Sequence, residues 1–419
     1  MTLSGPVPTL HRLDLSYDPR GAGRLSGTQT IEFVNRSPDA IDRVLLRLWA
    51  NGPDRCRPRR MSLQVDAPAS LEPLQLACSA LSVRLGQPLA PGAPSSITLH
   101  LSLRGRRARS RFGRSDGVRL LGYVIPQLAV TDARGSRLPP YVHFAESFYS
   151  LTAAWEATLR LPARLQAATT GSVVEERREG GQRVLRVATP HARDFALAIG
   201  RWRTFSGPAA GTTVRVHAQS RRRGRRILRV AQRSVRRYSA RFGPYDSPEL
   251  EVVEIAEGYG MEFPELVFSN PDPYIVAHEV AHQWWYSIVG NDQYSEPWLD
   301  ESFATWSGAR VAGTFSYCNL RQPFRELPPH LRRARLDSGM RFYGPRDVAY
   351  VRVVYDTGAC VLRWLEREIG PARMTAFLRL LVSRNRHGVM TKADVLAALA
   401  ETVPGFDMQR FLRIAHLSG

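Results

Sequence analysis

Residues 272–285 read DPYIVAHEVAHQWW. Asp272 is a residue type that caps free N–H groups at a helix start, and Pro273 is tolerated in a first turn. The spacing predicts a helix from Pro273 to about Ser287. His278 and His282 then stand four residues apart on one face, about one turn from each other. Two imidazole nitrogens so placed can reach one ion at about 2.0–2.1 Å. Glu279 projects to the side of the pair, where a carboxylate can touch metal-bound water without ligating the metal. The competing reading is an ordinary helix face with two solvated histidines.

A third ligand weighs against that reading. After eighteen intervening residues comes Glu301, within SEPWLDESFATW at 295–306. Ser295 reads as an N-cap and Pro297 as an early helical position, so Glu301 falls in the first turns of a second helix. That helix can return antiparallel to the first after a turn near Gly290. Two histidines and one glutamate leave the fourth position of a zinc ion open for water, the pattern of a catalytic site.

Working outward, the first ~200 residues are rich in short β-branched or aromatic segments, several alternating with period two. Examples are Leu13–Asp18, Gly27–Asn35, Arg43–Asn51, Ser96–Leu103 and Trp155–Pro162. Many short strands without intervening helices predict an antiparallel sandwich or saddle-like sheet. From Arg221 the dominant period is helical, with one strand candidate at Leu250–Ala256. Gly370 followed by Pro371 marks a helix stop, and Thr391 a helix start. The expected organisation is α+β, with a β domain at 1–205 and a mostly helical domain at 206–419.

Net charge is +20, carried almost wholly by arginine, since Lys392 is the only lysine. Two arginine runs stand out, Arg104–Arg114 and Arg221–Phe242. In the second, Ile227, Val230, Ala231, Val235, Tyr238 and Phe242 share one helical face, leaving the arginines to solvent. No zinc-finger, RNP or helix-turn-helix pattern accompanies either run, so no specific nucleic-acid partner is expected. Incidental attraction to polyanions is. Cys56, Cys78, Cys318 and Cys360 form no CxxC pair and read as buried or free thiols. No apolar run approaches the ~20 residues of a membrane span, and no secretory signal is visible in this chain. The expectation is a cytoplasmic protein.

HExxH followed by eighteen residues and a glutamate resembles the metal pattern of the M1 family of zinc aminopeptidases, within the gluzincins. WLDES is similar to the family's WLNEG segment. The resemblance implies one zinc ion per chain held by His278, His282 and Glu301, with Glu279 as general base. GYGMEFP, Gly258–Pro264, resembles the family's GxMEN exopeptidase motif. By that likeness Glu262, beside Met261, binds the free α-amine of a peptide substrate. Phe263 stands where the family has Asn, and Tyr259 where it has Gly. VVYDTGACVL, 353–362, resembles YxKGA and implies that Tyr355 donates its hydroxyl to the tetrahedral oxyanion, with Thr357 in place of lysine.

The segments at 112–135 and 146–162 look like the β domain of short bacterial M1-like proteins. Gln127 or Glu146 of that domain would add a contact to the amine. The chain ends after a thermolysin-like domain, without the large C-terminal helical domain of longer members, which implies a more open cleft. The implied function is a zinc metallopeptidase that removes N-terminal residues from peptides. An endopeptidase with the same metal centre, a non-catalytic M1-like binding scaffold and an epoxide hydrolase are the alternatives. The preferred N-terminal residue and the oligomeric state are not legible in the sequence.

Overall fold

Alternating burial along Pro6–Asp18 turns Leu13, Leu15 and Tyr17 inward, as a half-buried strand requires. This is a computed structural model, and it describes residues 3–108, 110–145, 147–315, 318–344 and 347–418. Pro6–Asp18 lies at the middle of a seven-stranded sheet, parallel to Ala153–Pro162 and antiparallel to Arg24–Asn35. Two four-stranded sheets complete the layer structure, one built on Ile41–Arg47 and the other on Val118–Leu121. Leu13, Phe33 and Leu99 of the large sheet share one core with Leu46, Val83 and Leu197 of the smaller ones. The N-terminal half is thus the β-rich sandwich expected. His11 belongs to its core: it stacks on Trp155 at 3.8 Å and contacts Gln29. Burial pushes its pKa down to about 3.

One strand is shorter than expected. Arg43–Asn51 divides into a strand ending at Arg47 and a 3₁₀ turn at Trp49–Asn51. The Asn51 side chain is the reason. It accepts from the backbone N–H of Arg60 and Met61 and donates to the Cys78 carbonyl, which pins the chain in a turn.

A five-stranded sheet follows, in the order Arg203–Ala209, Thr212–Ala218, Glu249–Glu254, Leu266–Ser269, Gly260–Phe263. The last strand is the edge and runs antiparallel to its neighbour. Helix α1 (Arg221–Phe242) buries Ile227, Ala231, Val235, Tyr238 and Phe242, the face its periodicity marked. Its Tyr238 hydroxyl donates to the Ala277 carbonyl on α2 (Pro273–Ala281). Helix α3 (Trp298–Ala312) packs against α2. Further helices at Gly358–Ile369, Pro371–Arg384, Lys392–Thr402 and Met408–Ala415 complete the half. Gly370 breaks the first pair at φ 85°, and Thr391 forms a capping box with Asp394. Among the described residues, no helix is long and apolar enough to cross a membrane.

Three local expectations are corrected. Helix α2 stops at Ala281 and does not reach Ser287; the chain widens into a π turn at Gln283–Ile288 and leaves helical geometry at Trp285. Side chains claim the carbonyls there: His282 Nδ1 takes Trp285 O, and Arg193 Nε takes Tyr286 O. Ser295 does not cap α3; its hydroxyl accepts from Arg137 at 2.9 Å. The four cysteines are not free thiols but two disulfides, Cys56–Cys78 and Cys318–Cys360, with Cα separations of 5.5 and 5.3 Å. Partners 22 and 42 residues apart are joined by the fold, which local CxxC spacing does not register.

An aromatic core joins the two halves. Tyr123 stacks on Phe148 at 3.3 Å, and Phe263 of the edge strand meets both Tyr123 and Phe268 at 5.0 Å. Beside it, buried Arg193 donates to the carbonyls of Ser150, Tyr286 and Gly388, tying the sandwich to the helical half. Burial lowers its pKa to about 10, so the guanidinium stays charged at neutral pH. Replacing it leaves buried acceptors without donors. Arg193→Met is therefore expected to destabilise the fold by roughly 3 kcal/mol, read as an earlier urea midpoint; an unshifted midpoint would show that the seam does not need this residue.

Candidate metal centre

Helix α2 presents its ligands from a buried position. The Asp272 side chain accepts from Tyr274 and Ile275 N–H at 2.8 and 3.3 Å, and Pro273 occupies the first turn. Val276, Ala277, Val280 and Ala281 sink into the core. His278, Glu279 and His282 are themselves buried, which rules out two solvated histidines on a helix face.

The three ligating atoms expected from the spacing converge. His278 Nε2 lies 3.1 Å from His282 Nε2, and Glu301 Oε2 lies 3.3 and 3.4 Å from the two. A tetrahedral zinc site with bonds of about 2.0–2.1 Å requires ligand–ligand separations of about 3.3 Å. The triad therefore fits one small divalent cation as it stands. His282 Nδ1 donates to the Trp285 carbonyl at 3.0 Å. A carbonyl only accepts, so Nδ1 carries the proton and the Nε2 lone pair is left for the metal. His278 Nδ1 faces the Thr305 hydroxyl at 3.4 Å on α3, a longer contact.

The electrostatics agree with this fit. Burial works against charge on Glu301, yet the two imidazoles outweigh it and hold the carboxyl well below its ordinary range. Burial likewise opposes a charged His282, and Glu301 outweighs it, raising that pKa. The convergence that favours a proton there equally favours a divalent cation.

Helix α3 can supply Glu301 because it approaches α2 closely. A Cβ at Gly308 would lie 3.0–3.2 Å from the backbone and Cβ of His278. Ser302, next to Glu301, donates at 2.6 Å to the carbonyl of Val354, next to Tyr355. Tyr355 sits on a π turn, Val351–Thr357, and stacks on His278 with ring centres 5.7 Å apart. Thr357, the residue in the lysine position, closes that turn by donating to Arg352 O at 2.8 Å.

His278, Glu279, Glu301, Glu262 and Tyr355 line one cavity of about 230 Å³. A neighbouring hollow of about 370 Å³ shares Tyr259, Gly260 and Tyr355 with it and adds Met261 and Arg111. Glu279 presses against Gly260, where a side chain would displace the Glu279 carboxylate. Ligating atoms of Glu262, Glu279 and His282 lie within 4.8 Å of one another. Glu262 is almost fully buried, and burial pushes its pKa up to about 7, with the Glu301 charge adding to the push.

Gln127 is the exception among the expected site residues. It is buried on a two-residue strand in register with Arg47 and lines neither hollow. Sheet pairing and the aromatic seam take up that segment. Glu146 lies outside the described residues. Phe263 is fully buried in the seam, and its carbonyl holds Gln283 Nε2 at 2.9 Å. The sequence reading overlooked Asn291, Gln293 and Asp300, a buried polar group behind Glu262. Nothing in the local sequence marks Asn291 or Gln293, and only the fold places them there.

Residues 272–414 match the Peptidase family M1 domain. Aminopeptidase M1-C of Oryza sativa subsp. japonica is 27% identical over 187 residues, covering 38% of this chain and 21% of that protein. Aminopeptidase B of Rattus norvegicus is 24% identical over 210 residues, 41% of this chain and 32% of that protein. The matches thus span a third or less of these relatives' own length. The M1 zinc metallopeptidase of Deinococcus radiodurans superposes with a TM-score of 0.69 at 19% identity, over 99% of this chain and 95% of that one. A mutant of it bound to a Tyr-Ser-Ala substrate gives a TM-score of 0.70 with the same identity and coverage. Residues 272–414 are thus similar to the M1 peptidase domain, and the chain as a whole has the fold of a two-domain M1 metallopeptidase.

Proposed function

We propose that the protein is a zinc-dependent aminopeptidase acting on peptides with a free N-terminus. The observation that carries this reading is a triad at tetrahedral spacing, two members of which, His278 and Glu301, share one cavity with Glu279, Glu262 and Tyr355. Zinc held by His278, His282 and Glu301 would act as Lewis acid toward the scissile carbonyl and lower the pKa of water. Glu279, beside the triad but outside it, accepts the proton of the attacking water and returns it to the leaving amine. Tyr355 aims a hydroxyl donor at the developing oxyanion. Glu262 pairs with the substrate's α-ammonium, a cation that relieves the strain of burying a carboxylate beside Glu301. With the amine held there, only the first peptide bond reaches the metal. The L-arginine bound to a two-domain M1 zinc metallopeptidase mutant and the Tyr-Ser-Ala bound to a Deinococcus radiodurans one support a substrate of this size.

The two disulfides support a working environment oxidising enough to keep them, at odds with the cytoplasmic expectation from the sequence. Alkylation of the natively isolated protein followed by mass measurement is expected to find no free thiol before reduction and four after; four free thiols at the outset would restore the cytoplasmic reading.

The chemistry is tested on a panel of fluorogenic aminoacyl substrates. Glu279→Gln is expected to keep one zinc per chain by elemental analysis while turnover falls by about 10²–10⁴-fold. Activity retained in that metal-loaded variant would remove Glu279 as the base. Tyr355→Phe is expected to cut kcat by roughly 10²–10³-fold with zinc unchanged, and a near-normal kcat would exclude its hydroxyl from the reaction. A peptide and its N-acetylated twin separate exo- from endopeptidase action: the aminopeptidase reading requires cleavage of the free amine alone.

A further inference from the structure

We propose that Gln293 is a positioning residue that holds Glu262 in place for the substrate amine; this rests on the aminopeptidase reading above. Gln293 lies on the connection between α2 and α3 and is fully buried. Its amide nitrogen donates in two directions, to Asp300 Oδ2 at 2.7 Å and to Glu262 Oε1 at 3.3 Å. Asp300 is anchored in turn: its other oxygen accepts from Asn291 at 3.1 Å, and Asn291 also donates to the Glu296 carbonyl at 3.0 Å. The chain of bonds runs from the start of α3, beside the ligand Glu301, across to the edge strand that carries Glu262.

The charge of the clamp explains its chemistry. Glu262, Glu279, Asp300 and Glu301 are four buried carboxylates in one neighbourhood. Charge on any one of them is opposed by the others, and the Gln293 amide is a donor that two of them share. An arginine or lysine at 293 would hold Glu262 but would also compete with the substrate's ammonium for it. A neutral amide fixes the orientation and leaves the negative charge to the substrate. The fold accepts a penalty for this, because Gln293 Oε1 is buried without a hydrogen-bond partner among the described residues, an arrangement that packing alone disfavours. The same bonds account for an aspartate at 300, where the resembling family segment has asparagine: a carboxylate accepts from both Gln293 and Asn291 at once.

Gln293→Met keeps the side chain's length and removes both donors. Zinc-loaded Gln293→Met is expected to raise KM for a free-amine aminoacyl substrate by about tenfold or more, with kcat changed by less than about threefold and zinc content unchanged. Its preference for the free amine over the des-amino analogue should fall by the same factor. Gln293→Asn, polar but too short to bridge, is expected to behave likewise and decides the matter if the methionine variant fails to fold. An unchanged KM in a folded variant, or a loss confined to kcat or to zinc content, overturns the clamp. A wild-type enzyme that shows no preference for the free amine overturns the aminopeptidase reading, and the clamp with it; a wild-type preference that survives in both variants overturns the clamp alone.

Discussion

The structure depends on how closely α3 can approach α2. Two histidines one turn apart offer two ligands on a single helix, and no further residue of that helix can complete a tetrahedral set. The third ligand must come from elsewhere and arrive within about 3.3 Å of both nitrogens. Gly308 permits this, since any side chain there would press on the backbone of His278. The close approach then sets other features. It brings Thr305 to His278, puts Ser302 against Val354, and so seats Tyr355 over the imidazole.

The β sandwich supports the site from behind. Phe263, two residues beyond Met261 on the edge strand, is locked between Tyr123 and Phe268. Arg193 reaches from the sandwich to the carbonyl of Tyr286, in the turn where α2 breaks off. That break frees the Trp285 carbonyl to orient His282. The helical half thus fixes the wall that carries the candidate ligands, and the seam between the halves fixes the strand bearing Glu262. The departure from asparagine at 263 falls in that seam, where a large apolar ring contributes buried area and its carbonyl still holds Gln283.

The arginine-rich composition also resolves into structure. Arg106 of the first run closes on Asp54 together with Arg60. Arg241, Arg310 and Arg363 surround the buried carboxylate of Glu366. Ion pairs therefore account for part of the arginine content, and the net charge of +20 is what remains after them.

The sequence by itself determined the candidate ligands and their order, because helical spacing makes His278 and His282 neighbours whatever surrounds them, and a carboxylate opening the next helix follows from local signals. It also determined the β-then-helical layout and the buried face of α1, both consequences of period. Tertiary structure alone decided the rest. Cysteines far apart in sequence were joined as disulfides, the helix expected to reach Ser287 ended at Ala281, before a turn whose carbonyls at Trp285 and Tyr286 are taken by side chains, and Gln127 was buried in a strand pair with Arg47. Gln293 and Asp300 became partners of Glu262 by contacts across two elements. None of these has a local signature, because each rests on a hydrogen bond or covalent bond between segments whose proximity exists only once the chain has folded.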